Sequence, residues 1–239
     1  MIIKIDQSAN YFPKKRLNNS IKFIIIHYTG MQSEIESIKR LKSVKSKVSC
    51  HYLINRKGLV RQMVDDNKVA WHAGKSKWKT FRNLNEFSIG IELVNRGHEF
   101  GYQNFSSSQI STLIKLCNKL KKKYKVKKEN FLGHSDIAPL RKLDPGEKFP
   151  WRRLGKLNIG TWYKKRNIKK KTKSISQKKI EQLFFTNIHK IGYRYFKINR
   201  RNKKKDKLII RSFQQHYLPE KVTGKIDKKT LQISHFLAN

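Results

Sequence analysis

Acidic residues are scarce in this 239-residue sequence, which has 16 Asp and Glu against 56 Lys and Arg and a formal net charge of +40. A positive excess of this size is typical of nucleic-acid-binding proteins, and it would also raise the local concentration of an anionic polymer such as peptidoglycan. However, the basic residues are mostly lysine and occur in every segment, and the sequence contains neither a zinc-finger pattern nor an aromatic ribonucleoprotein signature. A basic nucleic-acid-binding protein is therefore kept only as an alternative.

Cysteines and long apolar runs are also few. Nothing in the two cysteines, Cys50 and Cys117, indicates a disulfide framework. No apolar run approaches the roughly 20 residues of a membrane span. The first residues also lack the apolar stretch and small-residue cleavage site of a signal peptide. We expect no membrane span, with the cytoplasm as the place of action if this is the whole product and the periplasm or cell envelope as the alternative.

The composition changes along the chain and divides it into three parts. Residues 164–179 are basic and polar, which is typical of a linker. Residues 1–163 form the first predicted domain and residues 180–239 the second. In the second, apolar residues recur at helical spacing in three segments and predict a bundle of three short helices. These residues are Ile180, Leu183, Phe184 and Ile188, then Leu208, Ile209 and Phe213, then Leu231 and Phe236.

Both strand and helix patterns occur in the first domain. The apolar run Phe23–Ile26 predicts a buried strand, and a turn at residues 56–58 predicts a hairpin. Ser106 and Gln109 match the capping box of a helix that carries Cys117 on its apolar face. These elements predict an α/β fold.

Two histidines and an aspartate occur in unusual settings that suggest a zinc site. His27 follows the buried strand, where its imidazole emerges at the strand edge. His134 follows F-L-G, and the segment from there to Asp144 is rich in proline and glycine, which suits a rigid loop. Two imidazoles and one carboxylate can hold zinc and leave a fourth position for water, as a hydrolase requires.

Five motifs occur in an order that resembles the zinc-dependent N-acetylmuramoyl-L-alanine amidases: I-I-I-H-Y-T-G, H-Y-L-I-N-R-K-G, A-W-H-A-G, S-I-G-I-E-L-V-N and G-H-S-D-I-A-P-L-R-K-L-D-P-G. The resemblance covers about residues 20–154. It implies a mixed central β-sheet flanked by helices, as in peptidoglycan-recognition proteins. It also implies hydrolysis of the amide between N-acetylmuramic acid and L-alanine, in peptidoglycan or in muropeptides. A recognition protein that shares the fold without catalysis is the first alternative.

Residue by residue, the resemblance implies one Zn²⁺ held by His27, His134 and Asp144, with Glu92 as general base and Lys142 as oxyanion stabiliser. Glu92 alternates with apolar residues in S-I-G-I-E-L-V, so we expect its pKa to be raised.

The resemblance also covers residues outside the catalytic set. It implies that Trp71 and His72 form a substrate-binding wall. Arg82, about one residue away from the family's usual position, would bind stem-peptide carboxylates. We expect His51 to be a hydrogen-bonded core residue outside the metal site. The string S-F-Q-Q-H-Y-L-P-E-K-V-T-G-K-I-D-K-K-T-L resembles peptidoglycan-binding helical domains, although a purely stabilising role is the alternative.

Overall fold

The structure is a computed structural model that describes residues 2–13, 15–164 and 176–239. Its strands are β1 (Ile3–Ile5), β2 (Tyr11–Phe12), β3 (Phe23–Tyr28), β4 (Tyr52–Ile54), β5 (Val60–Gln62), β6 (Val69–Ala70), β7 (Lys77–Trp78), β8 (Phe81–Arg82), β9 (Ser88–Leu93) and β10 (Phe131–Gly133). Its α-helices are α1 (Glu34–Lys42), α2 (Ser107–Tyr124), α3 (His134–Ile137), α4 (Trp151–Lys156), α5 (Gln177–Ile191), α6 (Lys203–Tyr217) and α7 (Lys228–Ala238).

Six strands form a central sheet in the order β1-β5-β4-β9-β3-β10. Only the β4–β5 pair is antiparallel, and it is the hairpin predicted at residues 56–58. The other neighbouring strands run parallel, so the sheet is mixed as expected. Strands β9, β3 and β10 end at the same edge of the sheet, and this is where side chains of an α/β protein gather to form a site.

The two faces of the sheet pack against different helices. Ile24 and Ile26 point into a core that includes the apolar residues of α2, whereas Phe23 and Ile25 point into a second core with residues of α5 and α6. This alternation follows from the pleat, which turns successive side chains to opposite faces. The predicted architecture, a mixed sheet flanked by helices with three further helices near the C-terminus, is confirmed.

Helix α2 begins as predicted, although the capping box is only half formed. The Ser106 hydroxyl accepts a hydrogen bond from the backbone N–H of Gln109. The Gln109 side chain does not return this bond, because its amide donates to the carbonyls of Ile54 and Val94 across the sheet. Cys117 is fully buried on the apolar face of the helix, in agreement with its predicted place in the core.

The three C-terminal helices lie against the sheet. Most of their predicted apolar residues are buried, but Leu183 and Leu208 remain 37% and 38% exposed. Residues 165–175, most of the predicted linker, lie outside the described residues, and α5 begins at Gln177 within the range assigned to the linker. The three-part division therefore stays a prediction. Over the described ranges, we find no helix with the length and apolar character that crossing a membrane requires.

A buried polar cluster joins α6 to the segment that carries His134. The Asp136 carboxylate accepts hydrogen bonds from the backbone N–H of Gly133 (2.8 Å), from His216 Nδ1 (2.7 Å) and from the Tyr193 hydroxyl (2.5 Å). Asp136, His216 and Tyr193 are all at least 98% buried. These bonds satisfy the buried carboxylate and fix helix α6 against α3.

Candidate metal centre and active site

The three predicted zinc ligands meet at the edge where the parallel strands end. His27 is the fifth residue of β3, which is an inner strand, so its imidazole lies near the end of the strand rather than on an edge strand. His134 is the first residue of α3, directly after β10. Asp144 lies in the following loop, and its carbonyl accepts a hydrogen bond from the backbone N–H of Ser135 (2.8 Å), which draws the two ends of this segment together.

The donor atoms of these residues form a small triangle. His27 Nδ1 lies 3.0 Å from His134 Nδ1 and 2.9 Å from Asp144 Oδ2, and His134 Nδ1 lies 3.1 Å from Asp144 Oδ2. All three side chains are buried. Among the described residues, they form the one group of three or more His, Cys, Asp or Glu side chains whose ligand atoms are close enough to bind the same metal ion. Two nitrogens and one oxygen at this separation fit a divalent cation such as zinc.

The protonation of the ligands also fits a cation. Burial, reinforced by the neighbouring His134, lowers the pKa of His27 to about 4, so this imidazole is neutral at pH 7. Burial alone would raise the pKa of Asp144, but the charge interactions with the neighbouring His134 and His27 hold the pKa well below the usual range. A neutral imidazole and an ionised carboxylate are the forms that bind metal.

Hydrogen bonds at the far side of each imidazole turn Nδ1 toward the triangle. His134 Nε2–H donates to the carbonyl of Ala73 (3.1 Å), which leaves Nδ1 with a free lone pair. His27 Nε2 lies 3.0 Å from His72 Nδ1, and His72 Nε2 lies 3.1 Å from the Ser88 hydroxyl.

The direction of the His27–His72–Ser88 chain follows from its last member. Because the Ser88 hydroxyl donates to the carbonyl of Leu84 (2.5 Å), its oxygen accepts from His72 Nε2–H. His72 Nδ1 must then accept from His27 Nε2–H, since burial lowers the pKa of His72 well below its usual value and leaves one ring proton. His27 therefore presents an unprotonated Nδ1 to the triangle.

Glu92 lies beside this triangle. It is on β9 directly opposite His27 of β3 in the parallel register, so both side chains point to the same face of the sheet. Burial and the nearby Asp144 raise the pKa of Glu92 to about 8, against a lowering by Lys142, as the alternation of apolar residues predicts. Its Oε2 atom is buried and has no hydrogen-bond partner among the described residues.

The predicted substrate-binding residues lie in three different environments. Trp71 is half-buried, with its ring edge-on to Phe12 at 5.5 Å between centroids. His72 is 8% exposed and lies behind His27 rather than on an open wall. Arg82 is exposed at the end of β8, on the rim of a large basic cavity. His51 is fully buried and bonded to the N–H of Gly90, outside the metal triangle as expected.

Two contributors to the site were missed by the sequence analysis. Gly90 packs against the His72 ring so closely that a Cβ atom there would lie 2.3 Å from His72 Cγ. The glycine within the apolar strand S-I-G-I-E is the signal that predicts such a close approach. Arg141 donates to the carbonyls of Ala73 and Lys75 and lies 3.3 Å from His134 Nε2. Among so many basic residues, nothing in the sequence marks this arginine.

Comparison with known proteins identifies the family. A family profile described as N-acetylmuramoyl-L-alanine amidase matches residues 17–147, which is more than half of the chain and includes every ligand of the triangle. The chain belongs to the N-acetylmuramoyl-L-alanine amidase family. Among its relatives, the amidase AmiD of Escherichia coli is 40% identical over 154 residues, which are 59% of this chain and 55% of AmiD. The 1,6-anhydro-N-acetylmuramyl-L-alanine amidase AmpD of Haemophilus influenzae is 34% identical over 161 residues, covering 60% of this chain and 85% of AmpD.

Solved structures that include one amidase of this family match nearly the whole chain. AmiD from Escherichia coli, in complex with the substrate anhydro-N-acetylmuramic acid-L-Ala-D-γ-Glu-L-Lys, superposes with a TM-score of 0.81 at 30% identity. The match covers 97% of this chain and 91% of that one. AmpDh3 from Pseudomonas aeruginosa, in complex with anhydromuramic pentapeptide, gives a TM-score of 0.79 at 28% identity and covers 94% and 92% of the two chains. The C-terminal helices are thus part of the shared fold, even though the alignment with AmiD by sequence spans only about half of that protein.

Proposed function

We propose that this protein is a zinc-dependent N-acetylmuramoyl-L-alanine amidase that hydrolyses the amide between N-acetylmuramic acid, or its anhydro form, and L-alanine. The observation that carries the proposal is the convergence of His27, His134 and Asp144, with donor atoms 2.9–3.1 Å apart, beside the half-buried Glu92. The relatives named for this activity support the choice of substrate, and so do the two similar structures that contain anhydromuramyl peptides.

Two imidazole nitrogens and one carboxylate oxygen would hold a single Zn²⁺. When bound, zinc supplies Lewis acidity and lowers the pKa of a coordinated water from about 15.7 toward about 7. The protein's own contribution is to turn Nδ1 of each histidine inward, through His72 for His27 and through the Ala73 carbonyl for His134. Such outer contacts keep a ligand set in its binding geometry before the metal arrives.

Glu92 is the proposed general base. Its unpartnered Oε2 leaves an acceptor available for the proton of the attacking water, and its raised pKa suits proton transfer near neutral pH. Lys142 is half-buried, and its positive charge is close enough to Glu92 and His27 to lower the pKa of both. We assign its ammonium to the negative oxygen that develops on the scissile carbonyl, an electrostatic role that gains strength where water is excluded.

Substrate binding is assigned to the surroundings of this site. Trp71 offers a half-buried aromatic surface for the sugar or peptide, and Arg82 offers an exposed cation for stem-peptide carboxylates. His72 acts on the substrate only indirectly, through His27. We further propose that residues 1–163 carry catalysis and that residues 180–239, after a basic linker, form a peptidoglycan-binding-like unit, which is supported by helices α5 to α7.

The direct test is to incubate the purified protein with defined muropeptides, with and without a zinc chelator, and to identify the products by mass. We expect a free stem peptide whose release stops on chelation and returns when zinc is added. A cut between sugars contradicts the proposal, and binding without any cleavage favours the recognition protein. An affinity for nucleic acid that falls steeply with salt and does not change when zinc is removed favours a basic nucleic-acid-binding protein.

Two places of action fit this activity: the cytoplasm, for the recycling of wall fragments, and the periplasm or cell envelope, for turnover of the wall itself. Cell fractionation followed by detection of zinc-dependent amidase activity in each fraction distinguishes them. Activity confined to the envelope fraction contradicts a cytoplasmic place of action.

A further inference from the structure

A basic cavity lies between the β7–β8 hairpin and the loop that leads into α6. Its volume is about 990 Å³, and it is lined by eight Lys or Arg residues and by one carboxylate, Asp206. That carboxylate is already paired, because Arg201 Nη2 lies 2.7 Å from Asp206 Oδ1. The remaining lining is therefore strongly positive even for this protein, and it surrounds a concave volume rather than a flat surface.

Several of these cations have no structural task. Arg201 stacks on the Phe185 ring at 3.1 Å from its centroid, and Arg194 donates to the carbonyls of His189 and Tyr193, so both stabilise the fold. By contrast, five side chains form neither a hydrogen bond nor an ion pair with any described residue and are exposed: Lys79, Arg82, Lys197, Arg200 and Lys205. Like charges held together without partners destabilise a fold modestly, which is a reason to look for an anionic ligand.

The cavity is connected to the metal centre through a single backbone carbonyl. Tyr195, which lines the cavity, donates its hydroxyl to the carbonyl of Lys75 (3.2 Å). Arg141 donates to the same carbonyl (3.0 Å) and lies 3.3 Å from His134 Nε2. A long substrate bound at the triangle therefore has this cavity as a near neighbour.

We propose that the cavity binds carboxylates of stem peptides next to the one being cut, so that the protein acts preferentially on polymeric peptidoglycan over single muropeptides. The inference rests on the proposed amidase function and adds the form of the substrate. A glycan polymer carries a stem peptide with free carboxylates on many of its sugars, whereas a single muropeptide has no second stem to place in the cavity. The second contact raises the effective concentration of the polymer at the active site without changing the chemistry there.

The test uses two triple variants with the same change of charge. The cavity variant is Lys197→Glu, Arg200→Glu and Lys205→Glu. The control variant is Lys115→Glu, Lys119→Glu and Lys122→Glu, which changes exposed residues of α2 on the other side of the sheet. All six side chains are exposed, so folding is preserved, and melting curves verify it. Rates are measured on insoluble peptidoglycan and on a soluble anhydromuramyl tripeptide, from low salt to 0.15 M, where screening shortens to about 8 Å.

For the cavity variant we expect about a tenfold lower rate on insoluble peptidoglycan and a weaker salt dependence, with the tripeptide rate unchanged, since three exposed contacts of modest strength are lost. The control variant should retain most of the polymer rate. Sedimentation with peptidoglycan, in a Glu92→Ala background that does not cut it, should show the same difference in bound fraction. Chemical amidation of the polymer's carboxylates should remove that difference.

Equal losses in the two triple variants would show a general effect of charge and overturn the inference. A parallel fall on the tripeptide would also overturn it, because the cavity would then serve every substrate. Failure of the amidase function itself looks different, because the unmodified protein would release no stem peptide from either substrate. The sedimentation assay still reports on the cavity in that case.

Discussion

The contact between His27 and His72 gives a prediction that separates a positioning role from a packing role. His72→Leu removes the acceptor of His27 Nε2–H while filling a similar volume at a position where the side chain is only 8% exposed. His72→Asn keeps an acceptor, because the Asn Oδ1 atom occupies nearly the position of His Nδ1. The two variants therefore differ in one hydrogen bond, which decides which nitrogen of His27 carries the proton.

The magnitude follows from the buried N–H group that the leucine leaves without a partner. An unsatisfied buried donor costs about 1–3 kcal/mol, and a lost outer contact of a metal-bound histidine lowers metal affinity by about 10–100-fold. We thus expect His72→Leu to weaken zinc binding by one to two orders of magnitude, on the order of 1.4–2.7 kcal/mol. His72→Asn should recover most of the loss.

Zinc affinity is measured by competition with a chromogenic chelator, and a melting curve of each zinc-free variant verifies folding. Ser88→Ala is a second arm: it removes the acceptor of His72 Nε2–H and should produce a smaller loss in the same direction. If His72→Leu binds zinc as tightly as the unmodified protein, the hydrogen-bond chain does not position His27 and the reasoning is refuted. The same holds if the Leu and Asn variants weaken binding equally.

Three further predictions concern single residues. Glu92→Ala should lower turnover by about 10²–10⁴-fold while bound zinc, measured by elemental analysis, stays at one equivalent; loss of the metal would count against a general base. Gly90→Ala should lower the free energy of unfolding by about 1–3 kcal/mol in urea titrations, because its Cβ atom would meet the His72 ring; an unchanged midpoint would contradict the close packing. The hydrogen bond from His98 is the main cause that lowers the pKa of Glu147 from 4.5 to about 2, so this pair stabilises the fold above pH 4.5 and the contribution disappears as pH falls toward 2. Glu147 is half-exposed, so Glu147→Gln should reduce this acid-dependent part of the stability by less than about 1 kcal/mol, and a larger effect would indicate a role beyond this contact.

The ligand set was accessible from the sequence because its members sit in patterns with a structural meaning. His27 ends an apolar run, and His134 and Asp144 flank a segment that cannot be one helix. These settings suggested a site, and the order of the five amidase-like motifs selected the three residues. The raised pKa of Glu92 followed in the same way from its apolar neighbours, and the structure agrees. The local sequence pattern is sufficient to predict a perturbed pKa when the titratable residue and its apolar neighbours lie on the same strand.

The hydrogen bonds that orient the ligand histidines could not be predicted from the sequence, since they join residues far apart in the chain. His72 precedes Ser88 by 16 residues and follows His27 by 45, and only the folded sheet places the three in one hydrogen-bonded row. The motif A-W-H-A-G suggested a substrate-binding wall, and its histidine lies buried behind His27. The half-formed capping box at Gln109 has a similar cause, because carbonyls of two sheet strands compete for its amide.

The hydrogen bonds of Asp136 make the position of His134 depend on the C-terminal helical region. Asp136 is two residues from His134, yet two of its three hydrogen-bond donors, Tyr193 and His216, come from the C-terminal helical region. Ending the protein at residue 163 would leave a buried carboxylate without those donors and bare the apolar face of the sheet around Phe23 and Ile25. A shortened protein of this kind should lose the ordered geometry of the His27–His134–Asp144 triangle and aggregate, so residues 1–163 should not form a stable protein without the C-terminal helices.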